Sequence, residues 1–260
     1  MIVLFPPSAL LEPEMKDRIT RHWDGRAKAY DENVRQVIYS PRERRIWQEI
    51  FSEAIGSTPL RILDVGTGPG ILSNLLSELG HEVTGIDASE GMLKRARSNS
   101  FALQNSIQLL QGDGERLPFA SGSFDAVVNR YVLWTLPQPE KALAEWQRVL
   151  LPGGRLVIID GTWFDHKSLT AWRQLWRGLS PLLIMLTERR VPCYRELDKD
   201  IKRNLWSCNV KRPDIDIEML SNLGFKDVQV SYDLDRRLLF TLNYLKHGHG
   251  GRQFLITGIK

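Results

Sequence analysis

Three glycines within five residues, Gly66, Gly68 and Gly70, follow a short run of branched side chains in RILDVGTGPGILSNLL (61–76). A turn without β-carbons between a strand and a helix lets a ligand rest against backbone N–H groups at the helix N-terminus. Asp64 stands just before the first glycine. Two further acids end the next two strand-like runs, Asp87 in EVTGID and Asp113 in IQLLQGD. A strand-end carboxylate accepts the two hydroxyls of a ribose, and another accepts an exocyclic amino group, so the three acids describe a crevice for a nucleoside-bearing ligand. A dinucleotide fingerprint, G-x-G-x-x-G, would require glycine at position 71, where Ile71 stands, which counts against a nicotinamide cofactor.

Candidate bases are fewer. Asp160 at a strand end, Tyr131, His22 and His166 are the titratable groups near this region, and no single one of them stands out as the catalytic residue. Trp163, Phe164, Trp172 and Trp176 offer faces for a flat ring or a methylammonium, although Trp172 and Trp176, four apart, also suit ordinary helix packing. Arg189, Arg190 and Arg195 offer charge to a carboxylate or phosphate of a substrate, or form a solvated run. His247 and His249 lack nearby acids or thiols and read as a turn. Cys193 and Cys208, fifteen apart, suggest neither a disulfide framework nor a zinc site, so no metal is expected.

The elements that position these residues alternate. Strand-like runs at 61–66, 82–87, 107–113, 124–130 and 155–160 are apolar on both faces. Helical segments lie between them: 71–80, then one N-capped by Ser89, then PEKALAEWQRVL before Pro152-Gly153-Gly154. This order predicts an α/β fold, a parallel sheet with helices on both faces. Four divisions follow: an N-terminal helical segment (1–60) across the sheet's open edge, a cofactor-binding core (61–160), an inserted helical cap on the substrate side (161–212), and a C-terminal completion of the sheet (213–260). In the last, 216–225 reads as a helix and KDVQVSYDL and RQFLITGIK as strands, with HGHGG as a turn. Glu115 reads as a surface or loop residue.

The sequence resembles the class I S-adenosylmethionine-dependent methyltransferases, of the small-molecule type that includes ubiquinone and menaquinone C-methyltransferases. The resemblance runs from Trp23 to Asp160 and rests on ILDVGTGPG, VTGIDASEGML, GDGERLPFASGSFDAVV and LPQPEKALAEWQRVLLPGGRLVIID. It implies a Rossmann-like sheet of seven strands with an antiparallel last strand, and S-adenosylmethionine as cofactor with S-adenosylhomocysteine as product. It sets the methionine moiety over Gly66, Thr67 and Gly68, the ribose on Asp87, Ala88 and Met92 beside the adenine, and the adenine amino group at Asp113 and Gly114. Asn129 and Arg130 match the position whose backbone lines the methionine part. Tyr30, in RHWDGRAKAYDE, matches a tyrosine that reaches the cofactor's carboxylate. Relatives that carry a histidine after the fourth strand differ from this chain, which reads YVLWTL at 131–136.

Whole-chain properties set the partners. Of 260 residues, 161–260 hold 17 basic and 11 acidic side chains. That excess admits an anionic small molecule, RNA or a membrane surface. No added RNA-binding domain is visible, so nucleic acid is not the expected partner; a small molecule, aromatic or anionic, is. No apolar run reaches the roughly 18–20 residues of a membrane span, and MIVLFPPSALLEPEM lacks a signal-peptide pattern, so the expectation is a cytoplasmic protein. A protein that binds the cofactor without turnover is the alternative from another class.

Overall fold

The structure, a computed structural model, describes residues 12–56, 59–164, 171–189, 199–239, 241–247 and 251–260. Its elements, in chain order, are α1 (Glu12–Val34), α2 (Gln36–Tyr39), α3 (Pro41–Ile55), β1 (Arg61–Val65), α4 (Ile71–Glu78), β2 (Glu82–Asp87), α5 (Glu90–Leu103), β3 (Gln108–Gln111), β4 (Phe124–Arg130), α6 (Pro139–Val149), β5 (Leu150–Gly161), α7 (Ala171–Glu188), α8 (Lys199–Asn204), α9 (Asp214–Asn222), β6 (Lys226–Ser231), α10 (Leu234–Leu238), α11 (Leu242–His247) and β7 (Gln253–Ile259).

One seven-stranded sheet runs β3-β2-β1-β4-β5-β7-β6. The first five strands are parallel, and β7 lies antiparallel between β5 and β6. The central strands are apolar on both sides because both sides are covered. Ile62, Val128 and Val157 face Trp47, Phe51, Leu75 and Leu76 of α3 and α4. Leu63, Val127 and Ile158 face Leu143, Trp146, Met219 and Leu220 of α6 and α9. Phe51 and Trp146 are fully buried, and truncating such a side chain to alanine costs about 3–5 kcal/mol.

Helix α3 shows how local sequence sets these elements. Ser40 caps it by accepting from the Glu43 N–H, Pro41 occupies its first turn where no donor is needed, and Gly56 ends it at φ +95°. Ser89 caps α5 as expected, accepting from the Met92 N–H at 3.1 Å.

Three expectations change. The N-terminal helices do not cover an edge: α3 packs on the sheet face, and α1 packs along α5 above the carboxyl ends of the strands. Strand β5 begins at Leu150 rather than 155, taking in Pro152-Gly153-Gly154, because Leu150 already pairs with Phe124 before a register shift. Between β6 and β7 stand two short helices, α10 and α11, where the sequence suggested only a turn. Among the described residues no helix is long and apolar enough to cross a membrane.

Candidate functional site

Every parallel strand from β1 to β5 ends on the same side of the sheet, and there a cavity of about 350 Å³ opens. That is the lower end of the size range for small-molecule sites. Tyr30, Asp64, Gly66, Thr67, Gly68, Asp87, Ala88, Met92, Asp113, Gly114 and Arg130 all line it. Gly70 and Asn129 do not.

The turn after β1 is built on Asp64. This carboxylate is buried, and its Oδ2 accepts from the hydroxyls of Thr67 (2.8 Å) and Ser73 (2.7 Å), which ties the loop to the first turn of α4. Burial pushes its pKa up while the two hydroxyls oppose the shift. The three glycines do different work. A β-carbon on Gly66 would sit 2.4 Å from Val132 Cγ2, so a protein neighbour requires glycine there; at Gly70 the left-handed φ of +77° requires it, with the Ala96 β-carbon 3.1 Å away. Gly68, at φ +56°, has only the Gly66 carbonyl oxygen at 4.0 Å, so its bare backbone faces open space in the cavity.

Asp87 ends β2 beside that backbone. Its Oδ2 accepts the Gly68 N–H at 2.8 Å and its Oδ1 the Ser89 N–H at 2.9 Å. Burial pushes its pKa up to about 6, with these two donors pulling the other way. Each oxygen keeps a lone pair for a ligand hydroxyl.

Asp113, after β3, is held likewise: Oδ1 accepts the Glu115 N–H (2.8 Å) and Oδ2 the Lys16 ammonium (2.8 Å). Glu115 is in a loop but not at the surface. It is completely buried, its Oε1 accepts the Gln138 N–H at 2.7 Å, and its Oε2 lies 2.5 Å from Lys16 Nζ. No local pattern signals that a lysine 97 residues upstream closes this corner. Lys16, Ile19, Thr20 and Trp23 all belong to α1, and all line the cavity. Trp23 stands in the RHWDGRAKAYDE stretch, whereas the signal for Lys16 is a Glu12–Lys16 pair one turn apart.

At the other end of the cavity, the Arg130 guanidinium lies 5.2 Å from the Trp47 ring centre and 5.1 Å from that of Tyr131. Burial pushes the pKa of the Tyr30 phenol up, and the Arg130 charge opposes the shift. No described carboxylate forms an ion pair with Arg130, so its charge is available to an anion. Asn129, beside it, is fully buried in β4, and its side-chain amide is bonded to no described partner; the resemblance gives a role to its backbone alone.

The candidate bases fare poorly. Asp160 is fully buried; its Oδ2 accepts from Arg212 (2.7 Å) and the Trp134 N–H (3.2 Å), its Oδ1 from Trp163 Nε1 (2.8 Å) and the Gly161 N–H (2.9 Å). Arg212 in turn holds Asp216 and stacks on Trp206. Asp160 therefore anchors the segment after β5 and takes no substrate proton. Tyr131 lines the cavity, but its hydroxyl donates to Gln253 Oε1 at 2.6 Å and burial pushes its pKa above the ordinary phenol value. His22 packs edge-on to Trp23 and does not line the cavity. His166, Arg190, Arg195, Cys193 and His249 lie outside the described residues, as do the side chains of Trp172 and His247; Arg189 is exposed at the end of α7. Aromatic rings gather where β4 and β5 end: Tyr131 meets Trp163 edge-on at 5.1 Å, and Trp134 lies 5.8 Å from Phe164.

Known proteins resemble the chain in sequence and in fold. Residues 63–158 match the family described as "Methyltransferase domain". The demethylmenaquinone methyltransferase of Renibacterium salmoninarum is 35% identical over 161 residues, 62% of this chain and 64% of that protein. The demethylmenaquinone methyltransferase of Lactococcus lactis is 28% identical over 245 residues, 90% of this chain and 87% of that protein. The chain thus spans less than two thirds of the first relative's length. A crystal structure described as a SAM-dependent methyltransferase from Aquifex aeolicus superposes with a TM-score of 0.58 at 17% identity, covering 91% of this chain and 97% of that one, a likeness of fold.

Proposed function

We propose that this chain, whose residues 63–158 match the family described as a methyltransferase domain, is a class I S-adenosylmethionine-dependent enzyme that transfers a methyl group from S-adenosylmethionine to a small-molecule acceptor and releases S-adenosylhomocysteine. The observation that carries the reading is Asp87: a half-buried carboxylate with both oxygens braced by backbone N–H groups, opening on a cavity beside the bare backbone of Gly68.

The residues fit the cofactor chemically. Asp87 takes the ribose hydroxyls. Asp113, with the Gly114 backbone, Ala88 and Met92, receives the adenine. The backbone from Gly66 to Gly68 supports the methionine chain, and Arg130 with Tyr30 receives its carboxylate. Asp64 acts one step back, holding Thr67 and hence the loop. When bound, the cofactor would supply an electrophilic methyl carbon on a sulfonium, with the neutral thioether as leaving group. The protein's contribution is alignment, worth roughly 7–11 kcal/mol when two reactants are well positioned.

The acceptor is read from the aromatic rings and from the engaged bases. Trp23, Tyr131 and the rings near the ends of β4 and β5 suit a flat ring. With Asp160 and Tyr131 committed to internal partners, no described candidate base is free at the cavity, and an acceptor that ionises readily, such as an acidic ring hydroxyl, suits it. A quinol fits both requirements, in line with the names of the curated relatives. Incubating the pure protein with methyl-labelled S-adenosylmethionine and a panel of ring hydroxyl compounds, naphthoquinols included, tests the reading. Label on an acceptor carbon or oxygen is expected. Tight S-adenosylhomocysteine binding with no transfer to any panel member would instead favour binding without turnover.

A further inference from the structure

We infer that Lys16 is a specificity-determining positioning residue: by clamping Asp113 it makes the site select a purine that carries an exocyclic amino group over one that carries a carbonyl there. The inference rests on the cofactor reading above and adds to it a residue outside the matched domain.

Lys16 Nζ lies 2.8 Å from Asp113 Oδ2, 2.5 Å from Glu115 Oε2 and 3.0 Å from Glu12 Oε1. Burial works against the ammonium, but hydrogen bonds to the three carboxylates outweigh it and hold its pKa above the ordinary lysine value. The three acids have different surroundings. Glu12 is partly exposed on the same helix, and the Asp113 side chain is 40% exposed toward the cavity. Glu115 is wholly buried and receives the Gln138 N–H, so Lys16 is the cation that balances it. The far side of the same loop is fixed by Trp146, whose Nε1 donates to the Gly114 carbonyl at 2.9 Å.

A half-exposed aspartate alone rotates freely and reads little. Here one Asp113 oxygen is held by the Glu115 N–H and the other by Lys16, so the remaining lone pairs keep one direction. A carboxylate accepts and never donates. It receives an amino group and repels a carbonyl oxygen, and a site built for a hydrogen bond discriminates strongly against the analogue lacking it. Two further pins hold the helix that carries Lys16. Asp24 Oδ1 accepts from the Ser89 hydroxyl (2.6 Å) and the Gly91 N–H (2.9 Å), and Asp31 accepts from Asn99 (2.9 Å). Lys16 is therefore delivered to Asp113 by a helix already fastened along α5.

The test is calorimetric titration with S-adenosyl-L-homocysteine and with S-inosyl-L-homocysteine, whose ring carbonyl replaces the amino group. The full chain is expected to prefer the amino compound at least about tenfold, the loss of one charge-assisted hydrogen bond. Lys16→Met strips Glu115 of its counter-ion, so Lys16→Met/Glu115→Gln, which leaves a neutral pair, guards against a folding failure. The double variant is expected to melt near the wild-type temperature with its preference reduced to about threefold or less, and Lys16→Arg to restore most of it. An unchanged ratio in the double variant, or an equal loss for both compounds, overturns the inference. Asp113→Asn separates the levels. If it abolishes the preference while the double variant does not, Lys16 fails and the site stands; if it leaves the preference intact, the purine is not at Asp113 and the inference falls with that part of the cofactor reading.

Discussion

Replacing Asp87 by asparagine removes a charge while nearly conserving shape, and two effects of opposite sign follow. In the folded protein the group is held at a pKa of about 6 against the ordinary 3.8. Ionising it at pH 7 therefore costs up to about 3 kcal/mol of stability at 1.4 kcal/mol per unit, less whatever solvent in the cavity screens. The sign is that of a raised carboxyl: this cost is absent below pH 3.8 and complete above 6. Asparagine escapes it but turns an NH2 group toward the N–H of Gly68 or Ser89, at about 1–3 kcal/mol for an unsatisfied donor. Net stability changes little, and the melting temperature moves by a few degrees. Ligand affinity has no such compensation. Two ribose hydroxyls lose a charged acceptor, about 2–3 kcal/mol or roughly 30- to 150-fold in S-adenosylhomocysteine dissociation constant. In the wild type the ligand selects the ionised form, so affinity is flat above pH 6 and falls below it, with protons released on binding near pH 6; in Asp87→Asn both effects vanish. Titration calorimetry in two buffers of different ionisation enthalpy, from pH 5 to 8, reads affinity and proton release together. Affinity within threefold of wild type, or an unchanged pH profile, would refute the assignment of the ribose to this carboxylate.

The glycine loop separates packing from binding: Gly66→Ala, with Val132 at 2.4 Å and φ +66°, loses about 2–3 kcal/mol of stability in urea melts. Gly68→Ala loses only about 1–2 kcal/mol for its left-handed backbone yet at least tenfold in ligand affinity. Arg130→Met is expected to weaken S-adenosylhomocysteine about tenfold and to leave 5′-methylthioadenosine, which has no carboxylate, within twofold; equal losses would place the anion elsewhere. Arg212→Met leaves Asp160 and Asp216 facing each other without a cation and costs about 3–5 kcal/mol at pH 7. Part of that loss returns as the pH is lowered and the stranded carboxylates take up protons, which a melt at pH 5 measures.

The strands and their strand-end acids were legible because both depend on short-range pattern. RILDVG and FDAVVNR are apolar on both faces only where helices cover both, and Asp87 and Asp113 stand where such strands must stop. What stayed hidden was long-range. Asp160 looks like a free strand-end base until Arg212, 52 residues later, returns to neutralise it. Lys16 and Asp24 look like surface charges of an amphipathic helix until α1 lies along α5. Gly66 and Gly70 have the right spacing for a ligand loop, yet the reason for the first is the Val132 side chain and for the second a left-handed backbone packed against Ala96. Helices α10 and α11, five and six residues long, are too short for their periodicity to show against a turn-rich background.

The most direct test is a crystal structure of the full chain with S-adenosylhomocysteine bound. Both ribose hydroxyls are expected within about 3 Å of the Asp87 oxygens, as hydrogen bonds require, with the thioether beside Gly68 and the amino-acid carboxylate on Arg130. Adenosine bound away from β2, or an Asp87 side chain turned from the sugar, would contradict this placement.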